Sequence, residues 1–124
     1  MANVHSLGAT VTQTMLDDQK TVMHISPIHA DNTAAVLDPA QPVPVYTVSG
    51  DATVTLDPSI DPTGLSCAVI GVKGTTAGNP TVTASYTNAD GTVATGAAVF
   101  TITQDPGELD VTSFDVTVDT PVAQ

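Results

Sequence analysis

Apolar and polar residues alternate with a period of two along most of this 124-residue chain, the spacing that sends successive side chains to opposite faces of a β-strand. From Ala9 to Met15, the residues Ala9, Val11, Gln13 and Met15 alternate with Thr10, Thr12 and Thr14, which predicts a half-buried or edge strand. Thr21, Met23 and Ile25 share one face and Val22, His24 and Ser26 the other, until Pro27 removes a ladder donor. The stretch from Ile28 to Pro42 carries Asp31-Asn32, Asp38-Pro39 and Pro42, and reads as a surface loop with a short strand at Ala34 to Leu37. Val43 to Ser49 and Ala52 to Leu56 read as two neighbouring strands joined by a turn at Gly50-Asp51. Two Asp-Pro steps, Asp57-Pro58 and Asp61-Pro62, bias each Asp away from helix and predict a structured turn.

Beyond that turn, Leu65, Cys67 and Val69 share a face, and the parity changes at Ile70 and Val72, which predicts a bulge or strand end near Gly71. Val82, Ala84 and Tyr86 alternate with Thr81, Thr83 and Ser85, and Asn88-Ala89-Asp90-Gly91 supplies a hairpin signal. The returning strand, Gly96 to Thr103, turns Ala98, Phe100 and Ile102 inward. About seven strands, with turns every 8 to 12 residues and no sustained helical period, predict an all-β fold: an Ig-like antiparallel β-sandwich. Residues 1–104 form this sandwich with a short N-terminal arm. Residues 105–124 open on Asp105-Pro106-Gly107 and form a C-terminal extension with an extra strand, in which Phe114, Val116 and Val118 alternate with Asp115, Thr117 and Asp119.

Composition narrows the function. Seventeen Val and twenty-one Thr against four aromatics, Tyr46, Tyr86, Phe100 and Phe114, are strand composition. Thirteen acidic residues face two cations, Lys20 and Lys73, for a formal net charge of -11, which excludes a nucleic-acid binder that neutralises phosphates. Cys67 is the single cysteine, so neither an internal disulfide nor a multi-cysteine metal site exists. No apolar run approaches the roughly 18 residues of a membrane span, and the N-terminus lacks a basic region followed by an apolar stretch. The expectation is a protein that is neither exported by a standard signal nor held in a membrane.

From Val11 to Thr103 the chain resembles the bacterial Ig-like domains of the invasin and intimin superfamily, the group-two type, as found in surface proteins and in virion proteins of tailed bacteriophages. The pieces carrying the resemblance are Val22 to Asn32, an apolar strand ending in Pro and an acidic turn, and Val45-Tyr46-Thr47-Val48-Ser49-Gly50-Asp51, a strand with a central aromatic. Asp61-Pro62-Thr63-Gly64-Leu65 to Val72 and Gly78-Asn79-Pro80-Thr81-Val82-Thr83-Ala84 complete it. Asn32-Thr33 stands where the family often has Gly-Asn, and Tyr46 replaces the usual Trp. The resemblance implies a module that is not an enzyme. Adhesin copies of the family occur as repeats in long exported chains, whereas this chain shows one copy, which favours a part assembled onto a particle.

The expectation is therefore a structural protein of a tailed-phage virion, a capsid decoration protein on the virion surface, assembled in the host cytoplasm. The alternatives are a tail or fibre component and a cell-surface or carbohydrate-binding adhesion module. Its partners would be the major capsid protein or a tail protein of the same particle and further copies of itself, with no nucleic acid and no membrane. The surface for that contact is placed at the apolar ends: Val4 and Leu7 of the arm, and Phe114, Val116 and Val118 of the extension.

Other chemistry is weaker. His5, His24 and His29 are the histidines, and only His29 and Asp31 lie close in sequence, too few for a divalent site. Asp51, Asp57 and Asp61 gather near one loop, yet their spacing matches no EF-hand, and capping of Asp-Pro turns explains them better. Cys67 falls on an apolar face, where it acts as a small hydrophobe rather than a nucleophile. Glu108 is the single Glu, which leaves paired-carboxylate glycoside chemistry without its pair of glutamates or an aromatic cleft. Gly71-Val72-Lys73-Gly74 precedes no helix and is a turn, not a phosphate cradle. No catalytic residue, metal or cofactor is expected. The acidity itself reads first as like-charge repulsion that keeps a displayed protein soluble, and second as a face for a basic partner.

Overall fold

The computed structural model describes residues 4, 6–7, 11–50, 53–74, 77–105 and 111–124. Among these residues seven strands follow in order: β1 (Val11–Leu16), β2 (Lys20–His24), β3 (Val45–Ser49), β4 (Val54–Asp57), β5 (Ser66–Gly71), β6 (Thr81–Thr87) and β7 (Val93–Thr103), with one 3-10 turn at Pro58–Ile60. They form two sheets, β1-β7-β6-β3 and β2-β5-β4. β1 runs parallel to β7, and every other pair is antiparallel. This is the expected Ig-like sandwich.

The period-two pattern sets the core. Met15, Val82, Ala84, Tyr86, Ala98, Phe100 and Ile102 face inward from the larger sheet, and Met23, Val54, Cys67 and Val69 from the smaller. The clearest hairpin in the sequence is β6 to β7, whose register pairs Thr87 with Val93 and Thr81 with Val99 around a turn at Gly91, φ +89.

Two expectations change and two are narrowed. β3 and β4 are not paired, because the chain crosses between sheets after Gly50 (φ +98), so that β3 joins β6 and β4 joins β5. The short strand at Ala34 to Leu37 reduces to one bridge between Ile28 and Ala34. Pro27, Pro39 and Pro42 each withhold a donor there, and the loop closes on itself through Asn32 (φ 66) and the bond from Ala35 N–H to Pro27 O, 3.0 Å. Gly71 is a strand end rather than a bulge. A Cβ on it would lie 2.5 Å from the Asp17 carbonyl oxygen, so only glycine lets β5 end against the β1–β2 turn. Finally, the extra strand expected in 105–124 is not formed over 111–124, which is exposed and without strand structure. A half-apolar strand needs a sheet edge to pair with, and this segment pairs with none of the described strands.

Candidate functional site

The five residues expected to contact a partner divide between inside and outside. Val4 and Leu7 are 4% and 1% exposed, which corrects their assignment as contact residues. The arm is a plug of the sandwich. Asn88 clamps it, its Oδ1 accepting from Val4 N–H and its Nδ2 donating to Val4 O, both at 2.9 Å. Ser26 N–H and Ile28 N–H then bond to Leu7 O and Ser6 O, each at 3.0 Å, so the arm lies along the end of β2. Gly96 lets Leu7 lie flat on β7, since a Cβ there would meet Leu7 Cβ at 3.2 Å. Phe114, Val116 and Val118, by contrast, are more than four-fifths exposed.

At the end of the sandwich where β2 and β6 finish and β3 and β5 begin, a concave pocket of about 460 Å³ opens, lined by Pro27, Leu37, Pro42, Val43, Leu65 and Tyr86 among others. Its walls are fixed by two tyrosines. Tyr86 Oη accepts from Asp38 N–H at 2.8 Å and holds the 27–43 loop, and Tyr46 Oη donates to Gly64 O at 2.8 Å and holds the turn before β5. Burial, with Cys67 and Asp61 adding, pushes the Tyr46 hydroxyl up to about 12, so it stays a donor at neutral pH. Gly64 sits at φ +76 with Val43 and Pro44 so close that a Cβ would meet them at 2.9 and 2.7 Å. The proline cluster at 27, 39 and 42 was the available sequence signal for this pocket, and it reads equally as an ordinary loop.

At the opposite end, Asp17 is fully buried. Its Oδ2 accepts from Gly74 N–H at 3.0 Å and its Oδ1 from Asp105 N–H at 2.9 Å, joining the β1–β2 turn, the loop after β5 and the chain leaving β7. Sequence reasoning missed it, because an Asp-Asp turn between strands looks like solvated surface. Beside it, Asp18 has its carboxyl raised, mainly by a hydrogen bond with the Asp105 side chain and then by desolvation.

The exposed acidic turns share one device. Asp31, Asp57, Asp61 and Asp90 each accept the hydroxyl and the N–H of a Ser or Thr two residues on, for example Thr63 Oγ1 at 2.6 Å and N at 2.9 Å. These bonds, side chain first, hold the carboxyls of Asp31, Asp57 and Asp61 below the usual 3.8. Because the folded values are lowered, their contribution to stability is complete above pH 3.8 and is lost as pH falls through the folded values. Asp18, raised, works in the opposite sense and is relieved by acid. A variant carrying Asp31→Asn, Asp57→Asn and Asp61→Asn keeps an acceptor in each turn without its titration. Its thermal midpoint is expected to fall less steeply than the parent's between about pH 4 and pH 2, as followed by circular dichroism.

Among the described residues, no three of His, Cys, Asp and Glu converge as metal ligands would. His24 Nδ1 and Ser66 Oγ are 2.8 Å apart across β2 and β5. Cys67 is buried, and burial pushes its thiol pKa up. His5, Asp51 and Glu108 lie outside the described residues.

No family model and no curated protein matches the sequence. Solved structures with a similar fold include a 2,6-sialyltransferase of Photobacterium sp. JT-ISH-224, at TM-score 0.51 and 10% identity over 80% of this chain. This chain spans 18% of that protein's length, and the likeness is one of fold alone. The PKD domain of human KIAA0319 aligns over 86% of this chain and 85% of that domain, at 10% identity and TM-score 0.38.

Proposed function

We propose that the chain is a non-enzymatic structural protein of a tailed-phage virion, a decoration protein on the capsid surface, fastened by its C-terminal tail. The observation that carries this reading is the tail itself. On a chain with a net charge of -11, Val111, Phe114, Val116, Val118 and Val122 stand in sequence in water, between 68% and 89% exposed, beside a sandwich that has already buried its own core. An exposed apolar segment of this kind marks an interaction surface, and its alternation suits strand addition to a partner's sheet edge. With the arm locked inside by Asn88, attachment falls to the tail alone. The acidic sandwich then faces outward, where its charge keeps neighbouring particles apart and off nucleic acid.

Deleting residues 111–124 keeps Asp105 and its bond to Asp17. The truncated chain is expected to melt within about 0.5 kcal/mol of the parent, since these residues are exposed along their whole length. It should also disappear from particles purified from cells that express it with the other virion proteins. Image averaging of particles carrying the full chain would place it on capsid or on tail. Truncated chain retained on particles at full copy number would refute the reading.

A further inference from the structure

Resting on the reading of the tail as the attachment segment, we propose that the 460 Å³ pocket receives Phe114 from a second copy of this chain, so that copies join tail to pocket while Val118 and Val122 further along the tail remain for the particle. The two surfaces match in chemistry. The pocket is walled by Pro27, Leu37, Pro42, Leu65 and the Tyr86 ring, and the tail presents one large aromatic between polar neighbours, Ser113 and Asp115. An aromatic anchor in a preformed apolar pocket is the usual centre of a small interface.

The position of the tail selects a second copy as the donor. The pocket lies where β7 begins and the tail departs where β7 ends, and the eleven residues of β7 span about 35 Å. From Asp105 to Phe114 is nine residues, which reach at most about 32 Å when fully extended. The tail would have to double straight back over the sandwich to fill its own pocket. Phe114 is instead 83% exposed. A neighbour's pocket requires no return.

β3 supports the same occupant. It starts at the pocket mouth after Val43 and Pro44, pairs among the described strands with β6 alone, and carries no charge over Val45–Ser49, leaving an open edge beside the anchor for the residues that flank Phe114. Because tail and pocket are different surfaces, the contact is head to tail and builds rings or rows rather than a two-fold dimer. Asp115 and Asp119 on the tail meet Asp38 at the pocket, so screening by salt strengthens the joint.

The test uses two full-length variants, Val36→Cys and Ser113→Cys. Val36 lines the pocket and is 79% exposed, Ser113 adjoins Phe114, and the native Cys67 is buried out of reach. Oxidised together at high concentration and 0.5 M salt, they are expected to give mixed disulfide dimers about tenfold over like pairs, as effective concentration dictates. Adding Phe114→Asp to the Ser113→Cys chain should abolish the excess. No excess of mixed dimers, or a bond formed within single chains that carry both cysteines, overturns the proposal. Loss of particle binding on tail deletion without mixed dimers leaves the attachment reading standing and removes the pocket. Mixed dimers with particle binding retained after tail deletion establish the pocket and remove the attachment reading.

Discussion

Asp17→Ala is expected to destabilise the protein by about 3 kcal/mol, lowering the thermal midpoint by roughly 12 °C for a domain of this size. The carboxylate is fully buried, and its two oxygens accept the N–H groups of Gly74 and Asp105. Alanine removes that acceptor from both donors at a point where three separate segments meet. Each lost bond to the carboxylate is worth about 1.5–3 kcal/mol, and the cost of burying the charge, now relieved, offsets part of the sum. Asp17→Asn keeps one carbonyl acceptor and turns an amide toward the other donor, so it should fall between parent and alanine variant. The same region is closed to Gly71→Ala, whose Cβ would press on the Asp17 carbonyl. The two substitutions disturb one contact, and combining them should cost less than the sum of each alone, as a double-mutant cycle by chemical denaturation would report. An Asp17→Ala protein that melts with the parent would show that these bonds contribute nothing.

Phe100→Ala is expected to cost more, about 3–5 kcal/mol. Phe100 lies on β7, between β1 and β6, and is 3% exposed. Of the four aromatics it alone is wholly apolar and wholly inside: the two tyrosines are tied by their hydroxyls to loops, and Phe114 is on the tail. The core around it is mostly Val, Ala, Ile, Leu and Met, and the rings of Tyr86 and Tyr46 are held at their hydroxyls by Asp38 N–H and Gly64 O, so neither is free to swing into the space that alanine would leave. Urea unfolding should show a lower midpoint with an unchanged slope. A loss below about 1 kcal/mol would mean that the two sheets close over the vacancy.

The core strands were legible because their side chains alternate under a single rule: inward positions such as Val82, Ala84, Tyr86, Ala98, Phe100 and Ile102 are buried as the pattern requires. Pairing was less legible. Nothing in Val45–Ser49 or Val54–Asp57 says which sheet each joins, since both are short and lie at edges, and the partner of an edge strand is set by the whole topology. The candidate site was half visible. Phe114, Val116 and Val118 stood out as apolar residues beyond the last turn, whereas Val4 and Leu7 look the same in sequence and are buried because Asn88, 84 residues away from Val4, pins the arm. The Asp17 contacts were invisible for a similar reason, with donors 57 and 88 residues away.

The parallel ladder between β1 and β7 also has a mechanical meaning. Val11 to Leu16 pair in step with Ala98 to Thr103, while the chain enters β1 from one end of the sandwich and leaves β7 at the other. A pull applied between arm and tail therefore drags the two strands in opposite directions along their own axes. The ladder is loaded in shear, all its bonds together, rather than peeled one pair at a time. Resistance to such a pull is governed by the rate of unfolding and not by equilibrium stability. A module held at its tail and tugged at its other end yields late, as a single event.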